Sequence, residues 1–113
     1  MTTIYKILPA SLWQKALEAG VFAGSEVDLK DGYIHFSTAQ QAAETAAEHF
    51  AGQRDLVLLH VDDNGLGEAL KWEPSRGGAL FPHLYAKLDV AQVMRADPLP
   101  LGDDGRHVFP SLT

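Results

Sequence analysis

The chain has 113 residues, enough for one domain with its own hydrophobic core, and its 46% hydrophobic and 21% charged content is that of an ordinary globular protein. It has no cysteine, which excludes disulfides, thiolate catalysis and cysteine-ligated zinc. Its net charge is −6 and its nine basic residues are scattered, which argues against nucleic acid as a partner, because a nucleic-acid surface needs concentrated positive charge.

No apolar run reaches the roughly 20 residues of a membrane helix. The start, Met1-Thr2-Thr3-Ile4-Tyr5-Lys6, lacks the charged-then-apolar order of a signal peptide. The expectation is one cytoplasmic domain over 1–113, with a core at about 3–97 and an irregular, partly mobile tail at 98–113.

In chain order, residues 3–8 read as a strand of β-branched and aromatic residues, with Ile4, Lys6 and Leu8 on one face and Tyr5 and Ile7 on the other. Pro9-Ala10-Ser11 starts a helix, Leu12, Trp13, Ala16 and Leu17 give it an apolar stripe, and Gly20 stops it. Residues 23–32, with Gly24, Ser25, Asp28, Asp31 and Gly32, read as a loop. Residues 33–37 form the second strand. Thr38 then caps a helix over 39–50, with Gln41 placed to complete a capping box.

The nearly all-apolar run 55–61 suits a central strand covered on both faces. Asp62-Asp63-Asn64-Gly65 is a turn. Residues 69–73 are a strand stopped by Pro74, 74–82 a flexible loop, and 83–88 a strand. Asp89 to Gln92 form one helical turn, and Val93 to Ala96 a last strand. The sum is an α+β domain with a sheet of about five or six strands and two main helices.

None of the five histidines forms an i, i+4 pair of the kind that holds zinc on a helix, so no metal is expected. His49 suits a helix C-terminus, His60 reads as a hydrogen-bonded core histidine, and His107 carries no signal. His35 and His83 differ, because both lie at strand ends beside aromatic residues. Tyr33, His35 and Ser37 share one strand face and can line a cleft. From spacing alone, His35 equally well bonds a neighbouring strand.

Glu73, at a strand end before Ser75-Arg76-Gly77-Gly78, is a candidate general base or ribose-orienting carboxylate. An exposed ion pair with Arg76 or Lys71 is its structural alternative. Lys6 either snorkels at an edge or points into a polar site. The Arg76 loop is a weak phosphate signal beside a full P-loop. A serine hydrolase is disfavoured: Gly-x-Ser-x-Gly is absent, and Ser37 and His35 are locked along one strand.

Ile4-Tyr5-Lys6-Ile7, Asp31-Gly32-Tyr33-Ile34-His35-Phe36-Ser37-Thr38, Gln41, Thr45-Ala46, Leu56-Val57-Leu58-Leu59, Leu70-Lys71-Trp72-Glu73 and Phe81-Pro82-His83-Leu84-Tyr85 together resemble a bacterial family, the domain of unknown function family 952. The resemblance spans about residues 3–97. That family is similar in fold to the ADP-ribosyltransferase superfamily, which implies a split β-sheet around an NAD cleft. It implies His35 on the nicotinamide-ribose side, Ser37 and Thr38 as hydrogen-bonding hydroxyls, and Glu73 as a loose counterpart of the catalytic glutamate. Lys6 stands where the superfamily often has His or Arg, a departure from the histidine that many family members carry.

Three readings follow. The first is an enzyme acting on NAD or an ADP-ribose-type nucleotide, with His35, Glu73 and His83 catalytic and Lys6, Ser37, Thr38, Arg76 and Tyr85 binding the ligand. The second is a ligand-binding module without turnover. The third is a structural or protein-interaction domain, a homodimer among its forms, with Trp13, Trp72, Phe81 and Tyr85 in core or interface. It predicts that His35, His83 and Glu73 do not converge.

Overall fold

The computed structural model describes residues 2–112, apart from the side chain of Arg76. The β-branched and aromatic start forms β1 (Thr3–Pro9), and Pro9 leads directly into α1 (Ala10–Ala19). Gly20 ends α1 in the left-handed region at φ 80°, its N–H bonded to the Ala16 carbonyl. β2 (Val21–Phe22), α2 (Glu26–Asp31), β3 (Ile34–His35) and α3 (Ala42–His49) follow. The second half is β4 (Leu56–Asp62), β5 (Leu70–Pro74), β6 (Leu80–Leu84), β7 (Leu88–Asp89) and β8 (Val93–Leu99), with 3-10 turns at Asp63–Ala69, Arg76–Gly78 and Val90–Gln92. Among the described residues no helix is long and apolar enough to cross a membrane.

All strand pairings are antiparallel, in sheets ordered β1-β4-β8, β2-β7 and β3-β6-β5. β4 is the central strand of its sheet, as its apolar run implied. The two three-stranded sheets meet at one bridge. Tyr5 and Ser37 exchange both backbone hydrogen bonds, each 2.8 Å long. The alternating side chains of β1 therefore feed two cores. Ile4 and Leu8 pack with Phe22, Ile34, Leu59 and Leu84. Tyr5 and Ile7 pack with Ala46, Leu56, Leu58 and Leu99.

The described residues form eight strands and three α-helices, more than the five or six strands and two helices expected. Residues 23–32 are not a loop. Ser25 and Asp28 close a reciprocal capping box that starts α2, because serine and aspartate favour a helix N-terminus as readily as a turn. The strand expected over 33–37 is regular only at Ile34–His35: Phe36 donates to the Pro82 carbonyl, and Ser37 has already crossed to β1. α3 begins three residues later than expected. Gln41 bonds back to the Thr38 N–H at 3.0 Å, so the glutamine half of the capping box forms ahead of the helix.

Residues 80–82 belong to β6, not to a loop, and β6 ends at Leu84 instead of running to 88. Pairing with β5 over Trp72–Pro82 and Glu73–Phe81 overrides the local turn preference of glycine and proline. β8 runs to Leu99, so Pro98 and Leu99, expected in an irregular tail, are strand residues, and the segment beyond is held: Leu101 bridges to His107, and Phe109 and Leu112 pack on the second core. Leu58 is fully buried in that core. Leu58→Ala is expected to destabilise the protein by about 2–5 kcal/mol, read as a lower urea midpoint with unchanged slope.

Candidate functional site

The site is organised by one buried carboxylate. Asp28 is 2% exposed, and five donor contacts converge on it. Lys6 Nζ lies 2.9 Å from Oδ1 and 2.8 Å from Oδ2. The Ser25 N–H donates to Oδ2 at 2.9 Å. The His35 backbone N–H reaches Oδ1 at 3.2 Å, and His35 Nδ1 reaches it at 2.6 Å. Burial opposes the charge on Asp28, but the His35 hydrogen bond, Lys6 and the Ser25 N–H outweigh it and hold the carboxyl well below the usual carboxylate range. Burial also pulls the Lys6 ammonium below its ordinary value, with the Asp28 charge and hydrogen bond opposing that shift.

The antiparallel register of β3 and β6 sets His35 opposite His83. Their rings meet edge-on with centroids 5.6 Å apart. Tyr33 lies against both, stacked on His83 at 4.1 Å and tilted against His35 at 4.6 Å. His83 Nδ1 lies 2.9 Å from Glu73 Oε1, which also accepts the Tyr85 hydroxyl at 2.7 Å. These hydrogen bonds from Tyr85 and His83 lower the Glu73 pKa, and the same Tyr85 contact pushes the phenol up to about 12.

A carboxylate only accepts, so Nδ1 of His83 donates to Glu73. In the neutral ring Nε2 then carries the lone pair, and no described residue hydrogen-bonds it. His35 is placed differently. Its Nε2 lies 3.0 Å from Asp31 Oδ2, so a carboxylate faces each ring nitrogen.

These groups border a cleft of about 650 Å³, lined by Lys6, Asp28, Asp31, His35, Ser37 and His83 among others, with Phe36, Phe50 and Phe81 supplying apolar wall. His35 and His83 meet at this cleft and Glu73 bonds His83 from behind, a grouping that the structural-domain reading did not predict. Glu73 and Tyr85 are outside the lining: Glu73 bonds His83, which is in it, and Tyr85 bonds Glu73. Thr38 is outside the lining, its backbone spent on the approach to α3. Arg76's side chain lies outside the described part of the chain.

Ser37 lies 2.8 Å from Thr45 Oγ1, which in turn donates to the Gln41 carbonyl. Its hydroxyl is thus turned toward α3. His60 is the core histidine expected, bonded to Asp97 at 2.9 Å and packed edge-on against Tyr5. Asp28 and Asp31 read in sequence as loop polarity. Their one local sign is the Ser25-x-x-Asp28 spacing of a capping box.

The family model described as protein of unknown function DUF952 matches residues 7–96. The chain belongs to this family. The crystal structure of protein CC0527 from Caulobacter crescentus is 55% identical, with a TM-score of 0.92 over 95% of this chain and 94% of that one. The solution NMR structure of CC0527 is 57% identical, with a TM-score of 0.85 over 94% and 91% of the two chains. No curated protein matches. The family assignment thus stops at a small protein of unknown function.

Asp28→Asn is expected to destabilise the protein by about 3 kcal/mol, because it leaves the buried Lys6 ammonium without a counter-charge. Adding Lys6→Met should restore part of that loss, as measured by urea unfolding. The folded Asp28 pKa is depressed, so its contribution is complete above the unfolded value of about 3.9 and is lost as pH falls below it. Wild-type stability should therefore drop below about pH 4, and the drop should be shallower in Asp28→Asn.

Proposed function

We propose that the cleft around His35 binds a ribonucleotide of the NAD or ADP-ribose type, with His83 as its proton-accepting group. The observation that carries this reading is the pairing of His35 and His83 across the β3–β6 register, each with Nδ1 held by a carboxylate, at one cleft. At His83 the carboxylate on Nδ1 orients the ring and leaves Nε2 for proton transfer, which is the logic of a histidine base. The cleft volume, about 650 Å³, lies in the range of small-molecule sites, and its mixture of aromatic wall and few polar groups suits a base or nicotinamide ring joined to a sugar. Two three-stranded sheets meeting at the Tyr5–Ser37 bridge support the likeness to an ADP-ribosyltransferase-like split sheet.

Two features favour binding without group transfer as the second reading. The first-strand cation, Lys6, is already paired with Asp28, and Glu73 reaches the cleft only through His83. Calorimetric and NMR titrations with NAD and ADP-ribose are expected to show saturable binding below millimolar concentration. His35→Gln, which removes a hydrogen bond to the ligand, should weaken it about tenfold. No binding at millimolar ligand, or equal affinity in His35→Gln, would sink the proposal. Release of nicotinamide from NAD by the wild type, and its loss in His83→Gln, would separate the enzyme from the binding module.

A further inference from the structure

We propose that Asp31 is an internal stand-in for the anionic group of the ligand, and that an oxyanion, a phosphate or carboxylate oxygen, replaces it at Nε2 of His35. This rests on the cleft being a ligand site and adds which chemical group meets which atom.

The two carboxylates on His35 are unlike. Asp28 is buried, takes five donor contacts and holds Nδ1 at 2.6 Å, so it keeps the ring in place whatever happens at the other nitrogen. The Asp31 side chain is 40% exposed, lies 3.0 Å from Nε2, and has His35 as its side-chain partner among the described residues. Solvent-exposed ion pairs contribute little stability, so this contact is cheap to break.

Helix stability does not account for Asp31 either. It is the last residue of α2, where the carbonyl ends make negative charge unfavourable. The acids that suit the helix are Glu26 and Asp28, in its first turn. Gly32 follows at φ 90°, a left-handed conformation that turns the chain toward Tyr33 and β3 and sets Asp31 at the cleft. Asp31 therefore sits where a ligand oxyanion would: against a ring nitrogen placed to donate, at the border of the cleft, on a side chain free to swing into water. The exchange keeps both nitrogens of His35 hydrogen-bonded and replaces one anion by another.

The test uses the full chain, titrated by ¹⁵N NMR with inorganic phosphate, sodium acetate and uncharged ribose. Asp31→Asn should tighten phosphate or acetate about three- to tenfold, with the largest shifts at the His35 ring, and leave ribose unchanged. Which of the two anions gains more tells phosphate from carboxylate recognition. Glu26→Gln makes the same charge change at the same cleft without touching His35, and should show no such gain.

Equal gains in Asp31→Asn and Glu26→Gln would reduce the effect to net charge and overturn the inference. So would weaker anion binding, or none, in Asp31→Asn, since removing the competing carboxylate would then have opened no anion site at Nε2. Asp31→Ser serves as a second variant should the asparagine perturb folding. A phosphate or acetate gain in Asp31→Asn without any NAD or ADP-ribose binding would retire the nucleotide reading and keep this one. His35-dependent nucleotide binding without that gain would do the reverse.

Discussion

The carboxylate of Asp28 is the point through which the site is built. It joins β1 through Lys6, the start of α2 through Ser25, and β3 through both the backbone and the ring of His35. Burying one charge is costly unless it is paired and hydrogen-bonded, and here each partner comes from a different element. The same contacts that satisfy the charge therefore fix where those elements lie. Lys6 is the clearest case. A lysine in the middle of a strand whose neighbours are all core residues is tolerated because Asp28 meets it there.

The second constraint is the handover of the chain between sheets. Ile34 and His35 pair with β6, Phe36 bonds the Pro82 carbonyl, and Ser37 pairs with Tyr5 of β1. Within four residues the chain belongs to both sheets, and the cleft lies along that seam. Side chains along it are placed by two sets of backbone hydrogen bonds. His35 is held again through its ring by Asp28, and His83 by Glu73. Rigid support of this kind suits a site that orients a ligand.

The two imidazoles end up chemically different although their sequence settings look alike. His83 has one carboxylate, on Nδ1, and an Nε2 without a described partner. His35 has a carboxylate on each nitrogen. The division follows from what lies behind each strand: the β5 edge with Glu73 behind His83, and α2 with Asp28 and Asp31 around His35.

Much of this was legible in the sequence, because it depends on local pattern. Hydrophobic periodicity marked β1, α1 and β4, the glycine after Ala19 marked a helix end, and strand alternation put Tyr33, His35 and Ser37 on one face. His35 and His83 stood out through their strand-end positions among aromatic residues. The sequence by itself thus determined the α+β class, the central strand and the two histidines. Tertiary structure alone decided which carboxylates serve them. Asp28 lies 22 residues from Lys6, and Glu73 lies 10 from His83, separations at which spacing says nothing about contact. It also decided that residues 26–31 form a helix and that Pro82 sits in a strand. Short polar segments and prolines have weak local preferences, and long-range pairing and the demand to satisfy a buried charge outweigh them.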